Sequence, residues 1–369
     1  MIIRTELFQD ACKKILEAVD SNVATIVSET LELEAHGDML HLNVTNREYY
    51  VRISLALTEQ VNFRAVVSAN LFLNLIAKIT TKDLELTTTD TMLLIKGNGE
   101  YKIPLIYDGE KLVELPLIKI GEVTNEFTIS NDILQSILKY NTKELQKSGL
   151  KQPVQKMFYI DEHGAITFTS GACVNSFTLE KPIKFLLNEK IVKLFKLFKS
   201  DNVEFKMGFD AISGGLTQTK VQFKNNEVEL TTIIQTSSDL VNGVPVTAIR
   251  RMAEEAHNYR ITVDKQALLS AIERLSLFAK KDIATLYSCL VFNPQNVTIY
   301  DSKKENYETI GYISGSIDGT YECGVNTNDL KLTLSLCDDT HVTFNFGNHR
   351  SMVIDRPQVK NILPECILK

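Results

Sequence analysis

The sequence predicts an α+β protein of three domains, each made of two repeats of one helix followed by an antiparallel meander. Three observations predict it. A short β-rich start, a polar residue and a helix with paired aliphatics occur together three times, as IIRTELFQDACKKILEAV from Ile2, EFTISNDILQSILKYN from Glu126 and YRITVDKQALLSAIERL from Tyr259. These starts lie one ordinary domain apart. Between them stand three further helix candidates, VVSANLFLNLIAKIT from Val66, FLLNEKIVKLFKLFK from Phe185 and GVNTNDLKLTLSLC from Gly324, giving six units of roughly 60 residues. The third observation is that each helix is followed by alternating or β-branched strands broken by turn residues.

Taken in order, the first unit continues into ATIVSETLELEAHGDMLHLNVT from Ala24, where Gly37-Asp38 reads as a turn. The second turns at Gly97-Asn98-Gly99, and the fourth, NVEFKMGFDAISGGLTQTKVQFKNNEVELTTII from Asn202, at Gly214-Gly215 and Asn225-Asn226. In the sixth, LKLTLSL from Leu330 alternates as a strand would, and only its place in the repeat assigns it to a helix. Sheets of this kind bury one face under a pair of helices. The boundaries this implies are residues 1–122, 123–257 and 258–369.

With 44% hydrophobic and 23% charged residues, the chain is ordinary globular material. It has no stretch apolar enough for a membrane span and no signal-like start, so a soluble, cytoplasmic protein without a membrane partner is expected. The six cysteines, Cys12, Cys173, Cys289, Cys323, Cys337 and Cys366, form no Cys-x-x-Cys pair, which argues against a zinc site or a disulfide framework and for free thiols. Histidines His36, His41, His163, His257, His341 and His349 fall in no metal motif, and Glu254-Glu255 and Asp338-Asp339 read as solvated turns rather than catalytic dyads. Neither an enzyme nor a cofactor is expected.

Charge is distributed unevenly. The chain is net −6, yet windows over the six helix candidates hold 15 Lys+Arg against 10 Asp+Glu. The stretch EKIVKLFKLFKS places Lys190, Lys193, Lys196 and Lys199 at every third position. As an α-helix it would set Ile191, Leu194, Phe195 and Phe198 on one side and the lysines across the other half. A charged row is ordinarily a solvated face, so the row alone decides nothing. If all six helices shared one surface, however, that surface would be basic and would suit a polyanion.

Over its whole length the chain resembles the bacterial sliding clamp, the beta subunit of the replicative DNA polymerase. The likeness rests on the three-domain length, GNGEYKIPLIYDGEKLVELP closing the first domain, VNGVPVTAIRR closing the second, YRITVDKQALLSAIERLSLFAKK opening the third, and a C-terminal Leu-Pro followed by aliphatics. The resemblance implies a head-to-tail homodimeric ring, helices inside and sheets outside, that encircles duplex DNA without reading its sequence and makes a polymerase processive. Implied partners are DNA, a second copy, the replicative polymerase, a clamp loader and repair proteins. Lys190, Lys193, Lys196 and Lys199 would line the channel, joined by Lys13, Lys14, Lys78, Lys139, Lys143, Lys147 and Arg274, with Lys151 and Lys331 as further candidates.

A partner-peptide pocket is implied at Val154, Thr169, Gly171, Ala172, Cys173, Val174, Pro245, Ile249, Arg250, Leu363, Pro364, Ile367 and Leu368. The dimer seam would set Tyr101 and Ile103 against Leu277 and Phe278. Where such clamps carry an Asp-Gly-His-Arg-Leu-like run, this chain has Ser170-Gly171-Ala172-Cys173-Val174. That departure fits a divergent, phage-borne clamp with its own polymerase. Two rivals remain at this point: a peptide-binding repeat scaffold that never meets DNA, and an open basic groove.

Overall fold

A computed structural model describes all residues except 21–25, 148–151, 200–201, 212–216, 235–240, 279–286, 302 and 367–369. Its contacts gather into two units, Met1–Asp132 with Leu194–Ile234, and Ile133–Lys193 with Gln235–Lys369.

The first unit holds a four-stranded sheet ordered Ile2–Arg4, Asp83–Thr88, Met92–Lys96, Glu100–Pro104, and a six-stranded sheet. In the latter, Val228–Ile233 pairs antiparallel with Tyr49–Ser68, setting Val228 opposite Ile53. The sheet therefore joins the first repeat of the chain to the fourth. Helices Thr5–Leu16 and Ala69–Ile76 pack through Phe8 and Phe72, whose ring centroids lie 6.0 Å apart edge-on. Beneath Leu194–Leu197, Phe195, Phe223, Phe205 and Phe127 form a chain of ring contacts at 4.9 to 5.3 Å.

The second unit is built on a twelve-stranded sheet, in which Val359–Pro364 pairs with Ala172–Ser176 and joins the third repeat to the sixth. Helices Lys265–Ser276 and Thr327–Ser335 share one core, with Leu268, Ala271, Ile272 and Leu275 meeting Leu330 and Leu334. Both helices start at side-chain caps. Asp264 accepts from the Ala267 N–H at 2.6 Å, and Asn326 accepts from Asn328 and Asp329 at 3.0 and 3.1 Å. The Asn326 cap gives a physical reason for the ambiguous LKLTLSL to be helical.

Three local expectations are corrected. Gly37-Asp38 is no hairpin turn: Thr30–Thr45 runs through it as one strand, with a register shift between Gly37 and Met39 and Gly37 at φ 65°. Gly37 pairs with Val61 and Met39 with Ala56, so the extra residues bulge from the partner strand Tyr49–Ser68 and the chain does not reverse at Gly37. The lysine row is not one α-helix, because Glu189–Lys193 is α-helical and Leu194–Leu197 is 3-10. A further helix, Val246–Glu254, occupies the stretch read only as the close of the second domain. The Asn225-Asn226 turn is present, with Asn225 N–H bonded to the Val228 carbonyl at 2.9 Å; Gly214-Gly215 lies outside the described residues.

Candidate DNA-facing helices and docking surfaces

A 3-10 helix has about three residues per turn, so exposure repeats at every third residue. In Leu194–Leu197 and the residues after it, Leu194, Phe195, Leu197 and Phe198 are buried while Lys196 and Lys199 are exposed. The α-helical part buries Ile191 and Val192 and exposes Lys193, with Lys190 half-buried and its pKa lowered by that burial. Val192 and Leu197 thus join the apolar side, where α-periodicity alone had not put them.

Five of the candidate cations at the surface have acidic neighbours. Lys196 meets Glu17 at 2.5 Å, Lys193 meets Glu189 at 2.8 Å, and Lys14 reaches Asp10 at 2.8 Å and Glu227 at 3.0 Å. Lys139 pairs with Asp338, and the Arg274 fork grips Glu308 at 2.7 and 2.6 Å. Exposed pairs of this sort are worth about 0–1 kcal/mol, so a phosphate can displace the carboxylate at little cost. Lys13 and Lys78 are exposed; Lys143 and Lys331 are half-buried. Lys151 lies outside the described residues.

Lys147 is the exception. Its ammonium points inward to Glu144 at 2.6 Å, with the two side chains 2% and 0% exposed. A charge so enclosed is committed to its buried partner and cannot reach solvent phosphates as it stands.

The docking residues divide by strand alternation. Ala172, Val174 and Ile249 of helix Val246–Glu254 are core residues of one apolar cluster, 3%, 6% and 3% exposed, and half-buried Val154 packs on its edge. Cys173, between them, faces the other way and is 0% exposed, its thiol pushed up to about 12 by burial. Leu363 likewise belongs to the core under helices Lys265–Ser276 and Thr327–Ser335, and its neighbour Ile362 is the one in the cluster. Both assignments fail because successive strand residues alternate faces. Buried Val241, Val244, Val353 and Ile362 also belong to the cluster, and half-buried Phe168 lies at the edge where it reaches the surface as an apolar patch; all five were missed, and the period of two along Gly164–Phe168 and Ala172–Ser176 could have found Phe168.

At the rim, Pro245 is exposed and Pro364 half-buried, and Gly171 packs against the Ile362 carbonyl. Arg250 donates to Asp161 at 2.6 Å, and Thr169 donates to Glu144 at 3.0 Å. Ile367 and Leu368 lie outside the described residues.

Glu100–Pro104 stands at the end of its sheet, with Tyr101 half-buried but Ile103 only 2% exposed. Ile103 is therefore a core residue of its own domain. Leu277 and Phe278 are 81% and 59% exposed just past helix Lys265–Ser276. Among the described residues, strand Tyr307–Ser314 pairs with Tyr259–Asp264 only at Tyr312 and Ser314, which leaves the edge of its first half unpaired. It carries two more exposed apolar side chains, Tyr307 at 64% and Ile313 at 50%. These two were missed, because an alternating strand does not reveal which sheet edge is left open.

Among the described residues, no three His, Cys, Asp or Glu side chains are grouped to hold a metal ion, and no helix is long and apolar enough to cross a membrane.

No family model matches the chain, and no curated protein matches it. Solved structures do. The DNA polymerase sliding clamp from Bacillus subtilis superposes with a TM-score of 0.78 at 15% identity, over 100% of this chain and 99% of that one. The beta subunit from DNA polymerase of Streptococcus pyogenes gives 0.81 at 14% over 99% of each chain, and the sliding clamp from Pseudomonas aeruginosa 0.80 at 14% over 100% and 99%. The chain has the sliding-clamp fold along its entire length.

Proposed function

We propose that this protein is a sliding clamp: two copies close head-to-tail into a ring around duplex DNA and tether a replicative polymerase for processive synthesis. The observation that carries the reading is the pattern of sheet joints. Inside the chain, the last strand of a second repeat closes on a strand of an earlier domain's first repeat, as Val228–Ile233 does on Tyr49–Ser68 and Val359–Pro364 on Ala172–Ser176. Among the described residues, the two strands that would continue this pattern have no such joint: the outer edge of Glu100–Pro104 and the first half of Tyr307–Ser314. Pairing them across two copies repeats the same joint and closes after two subunits.

The three domains are 1–122, 123–257 and 258–369, with their helices toward the DNA. Lys190, Lys193, Lys196 and Lys199 touch phosphates as adaptable point charges, which suits sliding better than arginine's rigid fork. The full-length likeness to polymerase sliding clamps supports this reading. Polymerase, loader and repair proteins dock where the half-buried edge of that cluster, Val154, Phe168 and Val246, reaches the surface over Ala172, Val174 and Ile249.

The test is retention on nicked circular plasmid against the same plasmid linearised, after loading by the cognate loader at moderate salt. Retention on the circle with loss from linear ends is expected. Equal loss from both, with loading verified, rejects encirclement; peptide binding without any DNA retention would leave a scaffold.

A further inference from the structure

Two buried carboxylates from two different helical segments hold the loop that borders the apolar patch. Between strands Gly164–Phe168 and Ala172–Ser176 the chain turns through Thr169, Ser170 and Gly171, with the Thr169 N–H bonded to the Gly171 carbonyl at 2.9 Å. The Thr169 hydroxyl donates to Glu144 Oε1 at 3.0 Å, and the Ser170 hydroxyl donates to Asp329 Oδ2 at 2.8 Å. Glu144 and Asp329 are 1% and 2% exposed. On the loop's other side, Gln155 Nε2 donates to the Thr169 carbonyl at 3.2 Å, and Phe168 and Ala172 both pack in the patch.

A three-residue surface turn needs no such ties. Burying a carboxylate is costly unless it is paired and hydrogen-bonded; Glu144 is already paired with Lys147, yet both it and Asp329 also accept a hydroxyl of this loop. Ser170 is exposed, yet its hydroxyl is turned to Asp329 rather than outward.

We infer that Asp329 and Glu144 are positioning residues for partner docking: acting through Ser170 and Thr169, they fix the loop so that the rim of the apolar patch is formed before a peptide arrives. This rests on the docking role assigned to the patch above. A pre-formed rim saves the ordering cost that a loose loop would charge against binding.

The test compares wild type, Asp329→Ala and Asp329→Asn in the full-length protein. Asn keeps an acceptor for Ser170, whereas Ala does not. Three readouts are taken: anisotropy of a fluorescein-labelled hexapeptide carrying two leucines and a phenylalanine, amide exchange across residues 164–176, and retention on circular plasmid. Asp329→Ala should bind the peptide roughly tenfold more weakly, exchange faster at the loop, and stay on DNA as wild type does. Asp329→Asn should restore most of the affinity. Wild-type exchange and affinity in Asp329→Ala overturn the proposal. If Asp329→Ala fails to fold, Ser170→Ala removes the same bond from the solvent side and is judged by the same criteria. Should wild type itself take up no peptide, with Ala172→Asp equally silent, the docking role falls; faster loop exchange in Asp329→Ala would then still support the loop-setting part, and unchanged exchange would overturn that too.

Discussion

A methyl group placed on Gly171 would stand 2.1 Å from the carbonyl oxygen of Ile362. The two residues belong to neighbouring segments of the joint between Ala172–Ser176 and Val359–Pro364, and their closeness means that the backbones meet with no room for a side chain. The sequence's Ser-Gly-Ala run is explained at this one position by packing.

Gly171→Ala should therefore pry that joint apart, costing about 1–3 kcal/mol, the usual range for overpacking. A urea midpoint equal to wild type would show that the Val359–Pro364 strand shifts freely.

Glu144 and Lys147 should behave as a unit. Removing either alone leaves a buried charge unpaired, for which about 3–5 kcal/mol is typical, whereas Glu144→Gln with Lys147→Met should cost less than the two singles added together. Denaturation of all three variants measures this; additive losses would mean that the two charges do not interact.

Alanine at Lys193, Lys196 and Lys199 should flatten the salt dependence of DNA retention, by about 0.9 in log–log slope for each phosphate that is no longer neutralised. Lys147→Met, if it folds, should leave that slope alone because Lys147 is enclosed with Glu144. An unchanged slope in the triple variant would assign the row to ordinary solvated surface.

Leu277→Glu with Phe278→Glu should yield folded monomers by sedimentation that no longer remain on circular DNA. Ile103→Glu, at a position only 2% exposed, should instead lower the melting temperature. Intact dimers in the first variant would reject the seam.

pH should act on Glu308 and Glu144 with opposite sign. The Arg274 hydrogen bonds hold Glu308 below the ordinary carboxylate range, so its contribution is present above the ordinary pKa and is lost as pH falls through the depressed value. Burial, only partly countered by Lys147, raises Glu144, so its contribution is full below the ordinary pKa and is lost as pH rises through the raised value. Denaturation midpoints across acid pH should show the wild-type advantage over Glu308→Gln closing as pH drops. A constant gap would mean that Arg274 and Glu308 are independent in solution.

The helices were legible because their signal is local. Paired aliphatics, the Asp264 and Asn326 caps and the repeated starts lie within a dozen residues, and the repeat was enough to settle LKLTLSL. The lysine row was legible as chemistry but not as geometry, since the change from α to 3-10 at Leu194 follows from how Phe195 and Phe198 are buried. Helix Val246–Glu254 was missed where the sequence was read only as a domain closing.

By itself, the sequence determined the α+β class, the six-fold repetition and the concentration of positive charge on the helices, because periodicity and capping act between near neighbours in the chain. Tertiary structure decided that Lys147 turns inward to Glu144, that Cys173 and Leu363 face away from the patch that Ala172 and Ile362 build, and that Ile103 is core. The physical reason is that a strand's two faces and a lysine's long stem are assigned by what packs against them. For Cys173, Leu363 and Ile103 the partners are the Val359–Pro364 strand and the sheet beside Glu100–Pro104, placed by strand register, which single-sequence periodicity does not encode; Lys147 and Glu144 are only three residues apart, and what tertiary packing adds there is the burial of both.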